Sequence, residues 1–343
     1  MKFKYLWAKI LITVIFAFLI IPNLGARVLW QDEAETALVA RQMVKSGHWL
    51  PYAYDDQGPI GQDWNYQFSV SKLWRWHPWL QFYVTALSFK LFEISALTAR
   101  LPFAIAGILF FWYWISFVKK HGPKNRLFYF LAVGLVMTSV PLLLHIRQAR
   151  YYSLALLFTL IAVDGYLEII KRSNLNVRQG WTLKYLFGSI LLFHSFLPGA
   201  LALQTSFWIH QIYCLIRPGP ASRRSLAFIL FATAFSISAL FTLPWAIWLK
   251  IGGQNLNFDL EIIKQNLHWH YIYIHKYIFP IFLLLPLAYP KIWKKNLQDN
   301  AFIIFSISIS VSILLYTFNH PYFFRYLIPL IPFFAFITAK III

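Results

Sequence analysis

The sequence predicts an all-α polytopic membrane protein, a bundle of about ten transmembrane helices. Of its 343 residues, 59% are hydrophobic and only 13% are charged, whereas soluble domains carry about 25% charged residues. Apolar runs of about 20 residues, the length that crosses a bilayer core, recur along the chain. Trp, Tyr and Phe make up 20% of the residues, as expected when aromatic rings line both membrane interfaces.

The predicted spans follow these apolar runs. They cover residues 5–24, 99–118, 127–146, 153–170, 184–197, 200–216, 226–249, 277–290, 301–318 and 326–342. Short basic links such as Lys119-Lys120 and Lys171-Arg172 follow alternate spans, and an excess of Lys and Arg marks the cytoplasmic side. We therefore expect both termini inside, and one integral-membrane domain, 1–343, whose long polar loops 25–98 and 250–276 lie outside.

The first outer loop contains an apolar stretch, residues 78–93, that needs its own interpretation. A transmembrane span there would move the basic cluster Lys119 to Arg126 to the outer side. We therefore predict an interfacial helix along the outer leaflet, with a short span as the alternative.

The basic balance of the chain does not indicate a nucleic-acid partner. The formal net charge is +19, but the cations are dispersed between hydrophobic spans and form no single basic face. Cys214 is the only cysteine, so no disulfide can form within the chain. The N-terminal apolar run has no clean small-residue cleavage site, which favours an uncleaved anchor over a signal peptide.

The first outer loop is rich in carboxylates. Seven of the 12 acidic residues fall between Asp32 and Glu93, and the pair Asp32-Glu33 follows the first span closely. Acidic residues in the first turn of a helix are favoured by the helix dipole, so Asp32 as an N-cap is one interpretation. The other is a general base held at the membrane surface.

Cations and polar residues are predicted near the same face. Arg147 and Arg150 follow the third span, and Arg325 begins the last one. Charged groups at such depth are costly and usually functional, and the planar guanidinium fork suits phosphate, although snorkelling to headgroups is the alternative for each residue alone. His77, which precedes Pro78, is a further candidate for contact with a phosphate or a sugar hydroxyl.

Two more residues are candidates for substrate contact. Tyr152 follows Arg150 at the outer end of a span, and His270 lies in the aromatic segment NLHWHYIYIH. The His268-x-His270 spacing alone is weak support for a metal site, and we interpret the segment as an interfacial aromatic helix.

The order of these motifs resembles a known family. Asp32-Glu33 is followed by A-x-x-A-R-x-M-x-x-S-G-x-W-L, then H-P, TALSFKLFE, Q-A-R-Y-Y-S-L and F-R-Y-L-I-P-L-I-P. This succession resembles the GT-C superfamily of membrane glycosyltransferases, and is similar to the protein O-mannosyltransferases and the lipid A aminoarabinose transferases. The resemblance covers nearly the whole chain and is strongest over residues 28–160 and 322–333.

The resemblance implies a GT-C-like bundle that transfers a sugar, with inversion, from a polyprenyl-phosphate donor to an acceptor hydroxyl. It implies that the active site faces the periplasm of a bacterial inner membrane. It also implies that Asp32, with Glu33 beside it, is the catalytic carboxylate, and that Arg150 and Arg325 bind the donor phosphate. His77 and Arg147 are added as candidates for the same phosphate from their positions in the sequence. The acceptor is then a protein, a lipid or an envelope glycan.

The sequence departs from the family pattern at two places. Relatives carry Lys-Pro-Pro where this chain has Trp76-His77-Pro78, and R-T-D where it has Arg150-Tyr151-Tyr152. The missing Asp leaves the use of a divalent metal open, and no metal ligand is assigned. A carrier or flippase for a polyprenyl-linked saccharide is the alternative function, but transporters place charged residues near mid-membrane, whereas the candidates here crowd at one face.

Overall fold

The computed structural model describes residues 2–52, 54–55, 58–59, 72–171, 180–217, 221–250, 259–280, 283–284, 290–318 and 324–343. The helices are α1 (Lys2–Ile20), α2 (Gln31–Ser46), α3 (Leu80–Leu91), α4 (Ala96–His121), α5 (Arg126–Met137), α6 (Val140–Ile146), α7 (Tyr152–Ile170), α8 (Gly180–Ser195), α9 (Leu197–Ile216), α10 (Ala221–Leu249), α11 (Leu260–Tyr273), α12 (Pro290–Asn296), α13 (Asn300–Thr317) and α14 (Ile331–Ile342). A π-helix (Ile274–Ile278) extends α11, a 3-10 helix (Phe324–Leu330) precedes α14, and a two-residue hairpin pairs Tyr54–Asp55 with Gly58–Pro59.

The helical membrane bundle is confirmed, but about ten full-length spans are not. In the described part of the chain, five helices are long and apolar enough to cross a membrane, and a sixth span results if α5 and α6, bent by 54°, count as one. Other helices over predicted spans are too short to cross a bilayer core: α8 has 16 residues, about 24 Å at the helical rise, against a thickness of about 30 Å. The predicted span 277–290 contains the end of the π-helix and lies partly outside the described residues.

Helix α7 is the central element of the bundle. It packs against α4 and α8, and 83% of its apolar window is buried. Two glycines allow the closest approach: a Cβ on Gly188 of α8 would lie 2.4 Å from Ala162 N, and one on Gly165 of α7 would lie 2.4 Å from Tyr185 N. This tight packing joins the second half of α7 to α8.

Helices α2 and α3 pack against each other, and α3 packs against the start of α4. The link to α4 includes a hydrogen bond from Ser88 Oγ to Thr98 O at 2.6 Å. Since α3 has 12 residues, about 18 Å of helix, it is too short to cross a bilayer core. This length favours an interfacial helix over the short span for residues 78–93, and the position of α3 along the outer leaflet stays a prediction.

Candidate active site

Asp32 lies in the first turn of α2, one residue after its start. The N-cap position belongs to Trp30, whose backbone N–H is 3.4 Å from Glu33 Oε2. The N-cap interpretation of Asp32 is therefore wrong, because the neighbouring Glu33 makes the contact back to the cap. The carboxylate of Asp32 instead contacts side chains outside α2.

Two arginines from distant parts of the chain meet the Asp32 carboxylate. Arg325 Nη1 lies 2.7 Å from Asp32 Oδ2, and Arg150 Nη2 lies 3.5 Å from the same oxygen. The three side chains are largely shielded, with exposed fractions of 19%, 4% and 14% for Arg325, Arg150 and Asp32. We call Asp32, Arg150, Arg325, His77 and Glu35 the Asp32 cluster.

Glu33 has a different environment from Asp32. It is 1% exposed, and its carboxylate accepts two hydrogen bonds from Arg100, from Nε at 2.8 Å and from Nη2 at 2.7 Å. Its Oε1 also accepts from Ala149 N at 2.8 Å. Two-point Arg–carboxylate pairs fix geometry as well as charge. Glu33 thus fastens the start of α2 to α4 and to the turn that carries Arg150.

Arg100 completes this lock on the segment before α2. Its guanidinium donates to the carbonyls of Leu24, Arg27 and Val28 at 2.8–3.0 Å. Three backbone carbonyls and one carboxylate satisfy the buried cation, which makes its burial tolerable. The entry of the chain into α2, and with it the position of Asp32, is therefore defined by Arg100 and Glu33.

The turn between α6 and α7 presents Arg150 to α2. Arg150 Nη1 donates to Asp32 O at 3.1 Å and approaches Thr36 Oγ1 at 3.5 Å. Its Nε is buried and makes no hydrogen bond within the described part of the chain. The guanidinium is thus held by backbone and carboxylate contacts while one of its donors remains for a ligand.

Glu35 is a member of the Asp32 cluster that the sequence analysis did not assign. Its Oε2 lies 3.9 Å from Arg150 Nη1, and its side chain is 13% exposed. Burial raises the pKa of Glu35, and Asp32 adds to this effect, while Arg150 and Arg325 oppose it. The spacing in the sequence indicates this position, because Asp32 and Glu35 are three residues apart and such residues share one face of a helix.

His77 reaches the cluster from the segment before α3. Its Nε2 lies 3.1 Å from Arg150 Nη2, and its Nδ1 lies 2.9 Å from Trp74 Nε1 and 3.2 Å from Gln81 Nε2. Burial holds the pKa of His77 well below its usual range, and the positive charges of Arg150 and Arg325 act in the same direction. The imidazole is therefore neutral at physiological pH.

Aromatic side chains line the cluster on the α7 side. Tyr152 is fully buried and lies within electrostatic range of Arg325 and Arg150. Tyr151 stacks on Phe196 with ring centroids 4.9 Å apart. On the other side, the guanidinium of Arg325 lies 5.4 Å from the ring centroid of Trp30, within the range of a cation–π contact.

Arg147 does not join these groups directly. Its Nη2 donates to Pro22 O at 2.7 Å. The residue lines a cleft of about 610 Å³ beside the start of α2, which Arg27, Trp30, Glu33 and Arg100 also line. Trp30 therefore faces both this cleft and Arg325.

His270 lies on α11, against α13. It is 3% exposed, and burial lowers its pKa to about 4, against a hydrogen bond with the backbone of Ile313 that raises it. One helical turn earlier, Asn266 Nδ2 donates to Thr317 O at 2.8 Å. These contacts are those of a residue that joins two helices, and its predicted contact with substrate stays a prediction.

Near the end of α7, Asp164 forms a second charged cluster. It accepts hydrogen bonds from Lys120 at 2.6 Å, His121 at 2.7 Å and Lys184 at 3.1 Å, and also from the hydroxyl of Tyr113. We call these five residues the Asp164 cluster.

The Asp164 cluster is also the place where metal ligands come together. His121, Asp164 and Glu168 present ligand atoms within 4.8 Å of one another. The carboxylates of Asp164 and Glu168 are already bound by Lys120, at 2.6 and 3.0 Å. A metal cation there would be repelled by the lysine ammonium groups, and the geometry favours an ion-pair network.

Comparison with known proteins places the fold. Neither a protein-family model nor a curated protein sequence matches the chain. The crystal structure of ArnT from Cupriavidus metallidurans bound to undecaprenyl phosphate is similar over 98% of this chain, with a TM-score of 0.60 and 16% identity. The apo structure of the same protein is similar over 99%, with a TM-score of 0.62 and 15% identity. This chain spans 60% of the length of ArnT.

ArnT is a lipid A aminoarabinose transferase with a GT-C fold. The likeness extends over nearly all of this chain, although the identity is low, so it concerns the fold. The likeness to the lipid A aminoarabinose transferases predicted from the order of the sequence motifs is thereby confirmed for the fold: the chain has the fold of ArnT over nearly its whole length.

Proposed function

We propose that this protein transfers a sugar from a polyprenyl-phosphate donor to an acceptor hydroxyl, with Asp32 as general base. The observation that carries the proposal is the meeting of Asp32, Arg150 and Arg325 within 3.5 Å on a fold that, in ArnT, has been crystallised with undecaprenyl phosphate. A carboxylate beside two guanidinium groups provides both a proton acceptor and a site for a phosphate.

The donor phosphate exchanges partners with Asp32 on binding. In the structure Arg325 pairs with Asp32 at 2.7 Å, which holds both side chains in place before substrate arrives. A phosphate oxygen accepts hydrogen bonds from the same guanidinium groups and replaces Asp32 in these ion pairs. The carboxylate is then available to an acceptor hydroxyl, and the arginines remain where negative charge grows.

Transfer then follows from the two halves of the cluster. Asp32 accepts the proton of the acceptor hydroxyl as its oxygen attacks the anomeric carbon, a contribution of about 10²–10⁴-fold. The bond to the phosphate oxygen breaks on the opposite face of the sugar, so the anomeric centre inverts. Arg150 and Arg325 stabilise the negative charge on the departing polyprenyl phosphate, which is effective because both guanidinium groups are shielded from water.

Glu33 supports this chemistry by its structural contacts. Its pairing with Arg100 and with Ala149 N leaves no carboxylate oxygen directed at the Asp32–Arg325 contact. We assign Glu33 to positioning Asp32 and Arg150, and not to proton transfer. We further propose that the site faces the periplasm, as the distribution of Lys and Arg between the loops predicts.

The experiment uses purified protein in liposomes with undecaprenyl-phosphate sugars labelled in the sugar and a cell-envelope fraction as acceptor. We expect labelled product that is stable to mild acid, and unlabelled undecaprenyl phosphate as the second product. Asp32→Asn lowers the rate of product formation by about 10²–10⁴-fold. Asp259→Asn is the control, because Asp259 is the exposed N-cap of α11 and Asn caps equally well.

A carrier gives a different result in the same vesicles. It moves the labelled lipid between leaflets without breaking the sugar–phosphate bond, so no labelled product forms. An effect of Asp32→Asn is then seen in the rate of lipid movement. Movement of intact donor with no labelled product, from protein that binds the donor, would reject the transferase proposal.

A further inference from the structure

The contacts of His77 place hydrogen-bond donors against both of its ring nitrogens. The indole N–H of Trp74 can only donate, and a guanidinium has no acceptor. Yet Trp74 Nε1 lies 2.9 Å from Nδ1, and Arg150 Nη2 lies 3.1 Å from Nε2. A neutral imidazole has one lone-pair nitrogen, so it accepts from only one of these two donors.

Each tautomer therefore sets one pair of donors face to face. With the proton on Nε2, Nδ1 accepts from Trp74, while Nε2–H faces Arg150. With the proton on Nδ1, Nε2 accepts from Arg150, and the buried indole N–H of Trp74 loses its acceptor, which costs about 1–3 kcal/mol. An imidazolium has an N–H on both ring nitrogens, so it accepts from neither Trp74 nor Arg150. Burial, together with Arg150 and Arg325, also lowers the pKa of His77.

An anionic oxygen beside Nε2 and Arg150 removes the conflict. Nε2–H and the guanidinium then both donate to the same oxyanion, and Trp74 keeps its bond to Nδ1. The buried Nε of Arg150, which has no hydrogen-bond partner in the described part of the chain, is a second donor of the same guanidinium. Hydrogen bonds to ionised oxygens are about twice as strong as neutral ones.

The position of Trp74 makes this arrangement rigid. Its ring is fully buried, its backbone N–H donates to Pro51 O at 2.9 Å, and its carbonyl accepts from Trp79 Nε1 at 2.8 Å. The imidazole lies against the indole with ring centroids 5.4 Å apart. The indole N–H thus has one direction available, toward Nδ1.

We propose that His77 is an uncharged donor to the phosphate oxygen and that Trp74 is a positioning residue, which keeps His77 in the Nε2–H tautomer. This inference rests on the proposed function, because the oxyanion is the phosphate of the polyprenyl donor. It assigns a role to the histidine of the segment Trp76-His77-Pro78, which stands where relatives of the family resemblance have Lys-Pro-Pro: the site gains a hydrogen bond without a third formal charge.

The test is magic-angle-spinning ¹⁵N NMR of [¹⁵N-His]-labelled protein in lipid bilayers, with farnesyl phosphate as the probe and farnesol as the uncharged control. His77→Gln identifies the His77 signals by their loss. We expect farnesyl phosphate, and not farnesol, to give a His77 ring with Nε2 protonated and Nδ1 unprotonated. A protonated Nδ1 or an imidazolium in that complex overturns the proposal, as does equal binding of the two probes.

Variants separate positioning from general structural damage. Trp74→Phe keeps an aromatic ring but removes the N–H, so a population of the Nδ1–H tautomer appears and farnesyl phosphate binds about tenfold more weakly. Trp114→Phe is the matched control, because it removes a buried indole bond to Ala132 O and leaves tautomer and affinity unchanged. An unchanged tautomer and affinity in folded Trp74→Phe protein overturns the role of Trp74; if Trp74→Phe fails to fold, the wild-type spectrum decides.

Substitutions of His77 complete the test. His77→Gln offers an amide N–H near the place of Nε2 and retains affinity within about threefold, whereas His77→Leu loses about tenfold. Equal losses in the two variants overturn the donor role. Sugar transfer by the wild-type protein is measured separately. If the protein transfers no sugar but shows the Nε2–H signals with farnesyl phosphate, the proposed function alone is rejected. If it transfers sugar but Nδ1 is protonated in that complex, this inference alone is rejected.

Discussion

The Asp32 cluster and the Asp164 cluster both place a shielded carboxylate among cations, one at the start of α7 and one near its end. Around Asp164, two lysine ammonium groups, the His121 imidazole and a tyrosine hydroxyl satisfy the two carboxylate oxygens. Around Asp32, the contacts to Arg325 and Arg150 differ by 0.8 Å (3.5 − 2.7), and a donor of Arg150 remains without a partner in the described chain.

This difference separates an ion-pair network that holds helices together from a site that can exchange partners. Asp164 joins α4, α7 and α8 through contacts that occupy both oxygens of its carboxylate. Asp32 holds two arginines that can turn to a phosphate without moving their backbone. The same chemical substitution at the two positions therefore has opposite consequences.

Asp32→Asn gives the largest expected effect. The amide keeps the shape of the side chain but cannot accept a proton, so the rate of sugar transfer falls by about 10²–10⁴-fold. The measurement is single-turnover transfer in liposomes at saturating donor, normalised to folded protein. A rate within threefold of wild type removes Asp32 from the role of base and removes the contrast with Asp164.

Glu33→Gln tests whether the neighbouring carboxylate acts through structure. The substitution leaves the buried Arg100 without its counter-charge, and breaking a buried ion pair costs about 3–5 kcal/mol. We expect a lower midpoint of thermal unfolding and a loss of transfer in proportion to the loss of folded protein. Glu93→Gln, an exposed glutamate before α4, is the control. Full stability with abolished transfer would instead make Glu33 a catalytic residue.

Arg325→Gln should affect the donor more than the protein. Removing one charge-assisted hydrogen bond to a phosphate costs about 1.5–3 kcal/mol, so the KM for donor rises about tenfold or more. Initial rates at varied donor concentration measure it, with Lys90→Gln on exposed α3 surface as the control. An unchanged KM would remove Arg325 from the phosphate site and leave it as the partner of Asp32 only.

How much of this site the sequence predicts depends on the type of contact. Asp32, Arg150 and Arg325 were assigned separately, because a charged residue at the edge of an apolar run stands out. That their side chains meet could not be predicted, since 118 residues separate Asp32 from Arg150 and only helix packing brings them together. The role of Glu33 was hidden for the same reason, because its partner Arg100 lies 67 residues away.

In the fold, too, local features can be predicted from the sequence, whereas contacts between distant residues cannot. Apolar runs such as 153–170 predict their helices closely, as α7 (Tyr152–Ile170) confirms, because apolar length is a local property. The acidic pair Asp32-Glu33 indicates the start of a helix, as α2 confirms, but the N-cap of α2 is Trp30 and not Asp32. A cap is selected by the surrounding contacts, here the lock of Glu33 and Arg100, and not by residue preference alone.

Asp164→Asn sharpens the comparison from the other end of α7. The amide keeps some hydrogen bonds but removes the negative charge that Lys120 and Lys184 share, so Lys120 keeps only Glu168 as its counter-charge. Both lysines are about one-third exposed. Solvent therefore moderates the cost to about 1–2 kcal/mol, seen as a lower unfolding midpoint. The transfer rate per folded molecule stays at the wild-type value. A selective loss of transfer would show that the two clusters are coupled along α7.

Glu35→Gln should produce the smallest effect and the only one that depends on pH. Burial raises the pKa of Glu35 above its ordinary 4.5, with a further contribution from Asp32. Glu35 is therefore protonated at higher pH than an exposed glutamate, and protonation removes a negative charge 3.9 Å from Arg150. That charge opposes an anionic donor, so in wild type the KM for donor falls as the pH is lowered from 8 to 5.

The amide fixes the neutral state, so Glu35→Gln has a KM about two- to threefold below wild type at pH 8, since a charge pair at a partly exposed site contributes about 0.5 kcal/mol. The pH dependence also flattens in the variant. The donor is a phosphodiester with one charge throughout this range, so its own titration does not contribute. A KM that rises in Glu35→Gln would mean that Glu35 orients Arg150 toward the phosphate instead of competing with it.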